Sequence, residues 1–281
     1  MSSFSPQWLA LREPLDARSR AVGLATALRA VEIIDLGAGT GAHLRYAAPL
    51  LAGVQHWLLV EHDPLLLAAM AGQLRDWAHA TQSECTASGA QFTVRAAGFE
   101  CQVQTLALDL AVQLDALPLR HGVLLTASAL LDLVSEDWLR MLVGRAATVE
   151  ATMWFTLTYD GRIDCEPAEP EDRELRELVN QHQRWDKGFG LALGPTAAGT
   201  AATILSEHGY RVETARSDWC IGPEHAALQF ALIEGWFEAA CEIAPTRTAM
   251  LHGWRARRRA HVELGRSTLR VGHVDMVGRP G

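Results

Sequence analysis

Paired cysteines are missing from this sequence of 281 residues. Its five cysteines are scattered, and none stands in a C-x-x-C arrangement. No two histidines are four residues apart and no H-E-x-x-H motif occurs, so we expect neither a disulfide framework nor a metal site. A reducing cytoplasm fits this cysteine usage best. The cysteines are Cys85, Cys101, Cys165, Cys220 and Cys241.

An excess of basic residues is also missing. The formal net charge is −8, whereas nucleic-acid-binding domains usually carry a positive field, so nucleic acid is not the expected partner. One local basic stretch contains Arg255, Arg257, Arg258 and Arg259. A charge run of this kind is usually a solvated helix face. The alternative is a docking patch for RNA or protein.

Long apolar runs are absent as well. No segment approaches 18 uninterrupted apolar residues, so no membrane span is predicted. Residues 1–6 lack a basic stretch followed by an apolar one, and we expect no secretory leader there. Hydrophobic residues make up 49% of the chain, which is ordinary for a globular domain that can build its own core.

Strands and helices alternate along the chain, which predicts an α/β fold with a doubly wound, mostly parallel sheet and helices on both faces. We expect seven strands, the last an antiparallel edge strand. They are predicted at residues 31–36, 57–60, 102–108, 122–126, 152–158, 211–217 and 268–277. Helices are predicted at residues 7–30 (one or two), 42–51, 64–81, 136–147, 171–183, 197–208, 224–243 and 246–262.

Two segments depart from this alternation. Residues 82–98 are small and polar and are predicted to be a loop. Residues 160–190 are polar, charged and contain proline, and we interpret them as an insertion that caps the carboxyl edge of the sheet. The whole chain, residues 1–281, is therefore expected to be a single domain with an N-terminal helical segment over residues 1–30.

A glycine-rich segment follows the first predicted strand. It reads Asp35-Leu36-Gly37-Ala38-Gly39-Thr40-Gly41 and precedes a helix. Glycine permits a tight turn and a close approach of a cofactor to the backbone, and the helix N-terminus offers free N–H groups. The spacing differs from the dinucleotide fingerprint G-x-G-x-x-G. Asp35 also fits a cationic aminoacyl group better than a pyrophosphate, although a purely structural turn remains the alternative.

Acidic residues follow the next two predicted strands. Glu61 ends the second strand, where a carboxylate can accept the hydroxyl groups of a ribose; alternatively it caps the helix after Pro64. Asp109 ends the third strand and could accept a hydrogen bond from an adenine amino group, or could instead cap a short helix. Carboxyl ends of parallel strands meet at one edge, so these side chains should lie near the glycine segment.

Together the three positions resemble the class I, Rossmann-like S-adenosylmethionine-dependent methyltransferases. The matching segments are residues 31–41, Leu58-Leu59-Val60-Glu61 and Leu108-Asp109-Leu110, within a similarity that covers residues 31–158 and extends to about residue 219. The resemblance implies S-adenosyl-L-methionine as cofactor, with Asp35 near its methionine part, Glu61 near the ribose and Asp109 near the adenine. The implied cofactor-binding residues are Asp35, Gly37, Ala38, Gly39, Gly41, Glu61, His62, Asp109, Leu110 and Thr126.

The sequence says less about the methyl acceptor than about the cofactor. In this family the fourth strand ends beside the transferred methyl group, and the signature N-P-P-Y of amino-methyltransferases is absent from Thr126-Ala127-Ser128-Ala129-Leu130-Leu131-Asp132. Asp132, Tyr159 and His182 are the candidate catalytic residues, with His182 the base that its ordinary pKa favours. Each has a plain structural alternative, as a helix polar residue or a surface-loop residue.

The sequence thus predicts an enzyme that transfers a methyl group from S-adenosyl-L-methionine to a small or medium-sized molecule, and it leaves the oligomeric state open. Three alternatives remain. The chain could modify RNA or protein through the arginine cluster, bind the cofactor without catalysis, or be a nucleotide-dependent dehydrogenase.

Overall fold

The computed structural model describes residues 5–26, 28–88 and 91–281. Outside this part lie residues 1–4, residue 27 and residues 89–90. They belong, in that order, to the segment expected to lack a leader, to the first predicted helical segment and to the predicted loop. The described helices are α1 (Pro6–Ser19), α2 (Val22–Ala25), α3 (Ala42–Leu51), α4 (Pro64–Ala80), α5 (Glu136–Thr148), α6 (Asp172–His182), α7 (Ala197–Glu207), α8 (Ala226–Ile243) and α9 (Thr248–Glu263).

The strands form one mixed sheet. Each of the seven predicted strands has a counterpart, and three more are present in the part of the chain described. They are β1 (Glu32–Leu36), β2 (Gly53–Glu61), β3 (Glu84–Ser88), β4 (Gln91–Ala96), β5 (Phe99–Ala107), β6 (Leu124–Ser128), β7 (Thr152–Glu166), β8 (Tyr210–Arg216), β9 (Trp219–Ile221) and β10 (Thr268–Pro280).

The order of the sheet is β3-β4-β5-β2-β1-β6-β7-β10-β8, with β9 paired to β10. The five strands from β5 to β7 are parallel, and β10 is antiparallel to both β7 and β8. The prediction that the last strand is antiparallel is confirmed, but the prediction that it is an edge strand is wrong. β10 lies between β7 and β8, and both of its sides are hydrogen-bonded to a neighbouring strand.

The prediction of a loop at residues 82–98 is also wrong for most of its length. β3 and β4 form a hairpin there that extends the sheet beyond β5. Phe92 and Val94 of β4 are buried, and their alternation with polar neighbours is the pattern of a strand with one covered face. The abundance of small polar residues around them obscured that pattern.

Three hydrophobic clusters make up the core. One contains Leu36, Trp138 and the buried side of α7, and lies on one face of the sheet. The second contains Leu44, Trp57 and the buried side of α4, on the other face. The third surrounds the far ends of β7 and β10 and includes residues of α1, α6, α8 and α9. The carboxyl edge of the parallel strands therefore lies between the sheet core and an additional layer.

This additional layer differs from the predicted cap at residues 160–190. β7 continues through residues 160–166 and pairs with the first part of β10, where Ile163 and Cys165 point into the third cluster. α6 lies within the predicted helical range, and α8 and α9 pack with it. The cap is thus built from an extended strand pair and three helices, and the apolar residues of segment 224–262 are used to build it.

Arginines hold the helices of this layer together. Arg258 is fully buried, where it bonds the Asp172 carboxylate and donates to the Pro167 carbonyl oxygen at 2.6 Å. Arg257 pairs with Glu169 and Glu171, and both Arg255 and Arg259 pair with Glu234. The basic stretch is therefore neutralised within the chain. Arg258 is buried, contrary to the expectation of a solvated face, whereas Arg257 is exposed and Arg255 and Arg259 are half-buried.

Candidate functional site

The glycine segment forms a tight loop between β1 and α3. Gly37, Gly39 and Gly41 have φ values of 61°, 58° and 82°, a left-handed backbone conformation that glycine adopts without steric cost. The loop turns towards β2, since the Ala38 N–H donates to the Val60 carbonyl oxygen at 3.0 Å. Gly37 is exposed, so the loop backbone can be approached from outside at this point.

Glu61 joins the end of β2 to this loop. Its side chain is 6% exposed, and one carboxylate oxygen accepts from the Gly39 N–H at 2.9 Å. The other oxygen accepts from the N–H groups of His62 and Asp63 at 2.8 and 2.9 Å. The Asp63 side chain caps α4 by accepting from the Leu65 N–H. Glu61 therefore does not cap that helix, and its carboxylate organises the edge of the sheet.

Asp109 lies beside Glu61 in the next strand connection. The Leu108 N–H donates to the Glu61 carbonyl oxygen at 3.2 Å, so the two strand ends are adjacent. The Asp109 carboxylate accepts from the Ala111 N–H at 2.9 Å within a turn. Leu110 is buried, and its carbonyl oxygen accepts from the Trp138 ring nitrogen at 2.7 Å. The predicted residues at the ends of β1, β2 and β5 are thus brought together.

Thr126 is placed differently from its neighbours. It is fully buried in β6, and its hydroxyl donates to the Trp154 carbonyl oxygen at 2.7 Å. The same oxygen lies 2.7 Å from Nε2 of His43, which must then be the protonated ring nitrogen. Burial also lowers the pKa of His43 well below its ordinary value. Thr126 therefore faces the neutral His43 ring of α3, and its predicted contact with a cofactor stays a prediction.

Asp35 is the most unusual charge beside the loop. Its side chain is 1% exposed, and neither carboxylate oxygen has a hydrogen-bond partner in the part of the chain described. Burial raises the pKa of Asp35 to about 8; the positive charge of Arg20 opposes this shift and the negative charge of Glu61 adds to it. A buried carboxyl without a partner is costly, so Asp35 lowers the stability of the fold, and a ligand that pairs with it would offset that cost.

Arg20 was not predicted from the sequence. It follows α1, is 5% exposed and donates to the hydroxyl of Ser128 at 2.9 Å. Its guanidinium carbon lies 4.6 Å from the centroid of the Tyr46 ring. Nothing in the local sequence distinguishes Arg20 from Arg18, because its partner in β6 is 108 residues away in the chain.

α1 covers the glycine loop. A Cβ atom built on Gly39 would lie 3.1 Å from Cδ1 of Leu9. Glu13 forms a two-point ion pair with Arg45 at 2.6 and 2.7 Å, and Arg45 also donates to the Thr40 carbonyl oxygen at 2.6 Å. The helix is therefore fastened to the loop by charge-assisted bonds, which are stronger than neutral ones.

A second group of titratable side chains lies at the same edge, beyond the end of β6 and along the middle of β7. Asp132 is buried with one oxygen unpaired, and burial raises its pKa to about 6. Tyr159 donates to the side-chain oxygen of Asn180 at 2.7 Å, and its ring centroid is 6.3 Å from that of His273. Burial lowers the pKa of His273 to about 3, and the Arg12 charge acts in the same direction. His273, which the sequence did not reveal, thus lies beside Tyr159.

His182 is engaged elsewhere. It ends α6, where Nε2 lies 3.1 Å from the Glu242 carboxylate of α8 and Nδ1 lies 3.5 Å from Nζ of Lys187. Its pKa is lowered, first by burial and then by the Lys187 charge. These contacts tie His182 to the helical layer, and its predicted role as a base is not supported by them.

Two negative findings concern the residues that the structure describes. Among residues 5–26, 28–88 and 91–281, no three His, Cys, Asp or Glu side chains are grouped to hold a metal ion. Within the same ranges, no helix has the length and apolar character that crossing a membrane requires.

Comparisons with known proteins identify the fold. A cyclopropane-fatty-acyl-phospholipid synthase-like protein from Lactobacillus casei aligns with a TM-score of 0.52 and 12% identity over 98% of this chain and 94% of that chain. A SAM-dependent methyltransferase from Thiobacillus denitrificans in complex with S-adenosyl-L-homocysteine has a TM-score of 0.44 and 11% identity, over 98% of both chains. The cyclopropane synthase MmaA2 from Mycobacterium tuberculosis has a TM-score of 0.45 and 10% identity, over 97% of this chain and 84% of that chain.

No protein-family profile matches the sequence, and no curated protein does. The similarity to the Lactobacillus casei protein shows a shared fold, so the predicted α/β fold is confirmed in its outline. A mixed sheet, ten-stranded in the described part of the chain, replaces the predicted seven-stranded, mostly parallel one. In the dinucleotide-binding order 3-2-1-4-5-6, the sixth strand lies directly beside the fifth; here β10 separates β8 from β7.

Proposed function

We propose that this chain is an S-adenosyl-L-methionine-dependent methyltransferase that acts on a small or medium-sized molecule. The buried, unpaired Asp35 carboxylate beside three left-handed glycines carries the proposal. A negative charge at this position would repel a pyrophosphate but would attract the ammonium group of an aminoacyl cofactor. The dehydrogenase alternative is disfavoured by this charge and by the position of β10.

The residues present fit the remaining parts of the cofactor. Glu61 is held beside Gly39, where its carboxylate can accept ribose hydroxyls, and Asp109 follows in the adjacent strand end. When bound, the cofactor would supply an activated methyl group and its leaving group, so that the protein chiefly positions and desolvates the reactants. Correct orientation alone can contribute about 7–11 kcal/mol to lowering a barrier.

Asp132 is the strongest candidate for a proton acceptor. Its unpaired oxygen and its pKa of about 6 would leave it largely ionised and available near neutral pH. Tyr159 and His273 would line the acceptor side of the edge with it. An acceptor that needs no deprotonation would not require this group, and Asp132 would then contribute only charge.

The acidic balance of the chain and its neutralised arginines favour a small acceptor. Arg255, Arg257, Arg258 and Arg259 are all committed to ion pairs within the chain. A docking patch for RNA needs cations that are free to displace counterions from phosphates. The alternative of RNA or protein modification through this cluster is therefore disfavoured.

Isothermal titration with S-adenosyl-L-homocysteine tests the proposal. The wild type should bind one equivalent, and Gly39→Ala should weaken binding at least about tenfold, because the new Cβ strains a left-handed residue and crowds the loop. Gly265→Ala is the matched control, since Gly265 has a φ of 65° and open space around it.

The two variants should lose similar stability, about 1–2 kcal/mol, and only Gly39→Ala should lose affinity. Absence of binding by the wild type, or equal binding by both variants, would contradict the proposal. A parallel titration with NADH should give no heat, and saturable NADH binding would instead revive the dehydrogenase alternative.

A further inference from the structure

Arg20 has an unused hydrogen-bond donor. Its Nη2 group donates to Ser128 and its Nε group to the Thr156 hydroxyl at 3.4 Å, whereas Nη1 is buried with no partner in the described part of the chain. Leaving a charged donor unsatisfied away from water costs more than an ordinary lost hydrogen bond. The orphaned Nη1 group therefore marks a place where an anion would be stabilised.

The carboxylates near Arg20 are already engaged. Asp275 accepts from the Leu157 N–H with one oxygen and from the Ala21 N–H with the other, both at 2.7 Å. Asp16 accepts from Arg12 at 2.9 Å and from the Trp219 ring nitrogen at 3.0 Å. Both carboxylates contribute to the electrostatic environment of Arg20, but neither takes the Nη1 proton.

Asp35 is the complementary unpaired group. Leu36 is paired with Ala127 of β6, and the next residue, Ser128, accepts from Arg20, so Arg20 lies on the same side of the sheet edge as Asp35. No hydrogen bond joins Arg20 to Asp35 in the described part of the chain. Arg20 and Asp35 are thus both buried and both left with free hydrogen-bonding capacity beside the glycine loop. An α-amino acid carries one group of each sign on a single carbon, and it would satisfy both residues at once.

We propose that Arg20 binds the carboxylate of the aminoacyl end of the cofactor while Asp35 receives its ammonium group. This assignment rests on the proposed function, and it names Arg20 as the residue that makes the site selective for 5′-thioadenosyl ligands with an intact α-amino acid. Because Arg20 also donates to Ser128 and Thr156, the end of β6 and the adjacent part of β7 position the same guanidinium that binds the cofactor.

Binding of three ligands to the wild type and to Arg20→Met tests this assignment. The ligands are S-adenosyl-L-homocysteine, its decarboxylated analogue, and 5′-methylthioadenosine, which lacks the whole aminoacyl group. The wild type should bind the homocysteine compound about 10- to 100-fold more tightly than the decarboxylated analogue, the range expected for a charge-assisted hydrogen bond. Arg20→Met should abolish that preference and leave the affinity for 5′-methylthioadenosine unchanged.

Arg18→Met is the matched control, because Arg18 lies on the same helix end but is exposed and contacts His225. It should keep the wild-type preference. The wild-type comparison needs no variant, so it can overturn the assignment even if Arg20→Met does not fold. Equal binding of the carboxylated and decarboxylated compounds by the wild type would overturn the assignment while the proposed function stands. Failure of all three ligands to bind would overturn both.

Discussion

Relative to the wild type, Asp35→Asn should become increasingly stable as the pH rises. The substitution keeps the shape of the side chain and removes its ability to ionise. In the folded protein, burial holds the pKa of Asp35 at about 8, whereas an unfolded chain gives aspartate a pKa of about 3.9. Between these values, folding of the wild type must take up a proton.

The direction of the effect follows from proton linkage. A folded-state pKa above the unfolded value means that the stability contributed by this group is fully present below about pH 4 and is lost as the pH rises towards about 8. The loss is about 1.4 kcal/mol per pH unit and reaches about 4 kcal/mol at pH 7. That is a large share of a typical stability of about 5–15 kcal/mol.

Urea unfolding at a series of pH values between about 4 and 8 measures this effect. The stability difference between Asp35→Asn and the wild type should increase by about 1.4 kcal/mol for each pH unit. Any fixed cost of the asparagine amide shifts the whole difference but leaves its slope unchanged. Asp115→Asn, at a fully exposed position, should follow the wild type. Parallel pH curves for Asp35→Asn and the wild type would refute the argument that Asp35 is buried and unpaired.

The remaining predictions concern the cofactor, the covering helix, the acceptor side and the helical layer. Affinity for S-adenosyl-L-homocysteine, followed by titration calorimetry, should rise about tenfold per pH unit up to about pH 8, because its ammonium requires ionised Asp35; a flat profile would contradict this. Glu13→Gln should accelerate ligand association in stopped-flow experiments, because it weakens the bond between α1 and Arg45; an unchanged rate would mean that α1 does not limit entry. The Asp132 carboxyl carbon should titrate by NMR near pH 6, and a midpoint near pH 4 would show that it is solvated. Arg258→Met should lower the free energy of unfolding by about 3–5 kcal/mol, because it removes the cation that pairs with the partly buried Asp172 carboxylate, whereas the more exposed Arg255→Met should lose less than about 1 kcal/mol.

The sheet could be predicted from the sequence wherever burial left a periodic pattern. Apolar runs such as 31–36 and 122–126 correspond to strands that are covered on both faces. Residues 160–166 were mistaken for the start of an insertion because Asp160, Arg162 and Asp164 are charged. They alternate with buried Gly161, Ile163 and Cys165, so the period of two was present but was outweighed by composition.

The residues of the candidate site were also predictable only in part. Asp35, Glu61 and Asp109 each lie within two residues of a strand end, and the geometry of parallel strands brings such positions together without further information. Arg20 and His273 could not be found, because their importance comes from partners far away in the chain. His273 faces Tyr159 only because β10 is inserted beside β7, and strand order is not encoded in local periodicity.

A crystal structure of the protein with S-adenosyl-L-homocysteine bound would test the central claim most directly. The account predicts ligand density along residues 37–41, with the ribose hydroxyls at Glu61 and the amino-acid end at Asp35. Density for the ligand at any other place on the molecule, or an Asp35 carboxylate that remains unpaired in the complex, would contradict it.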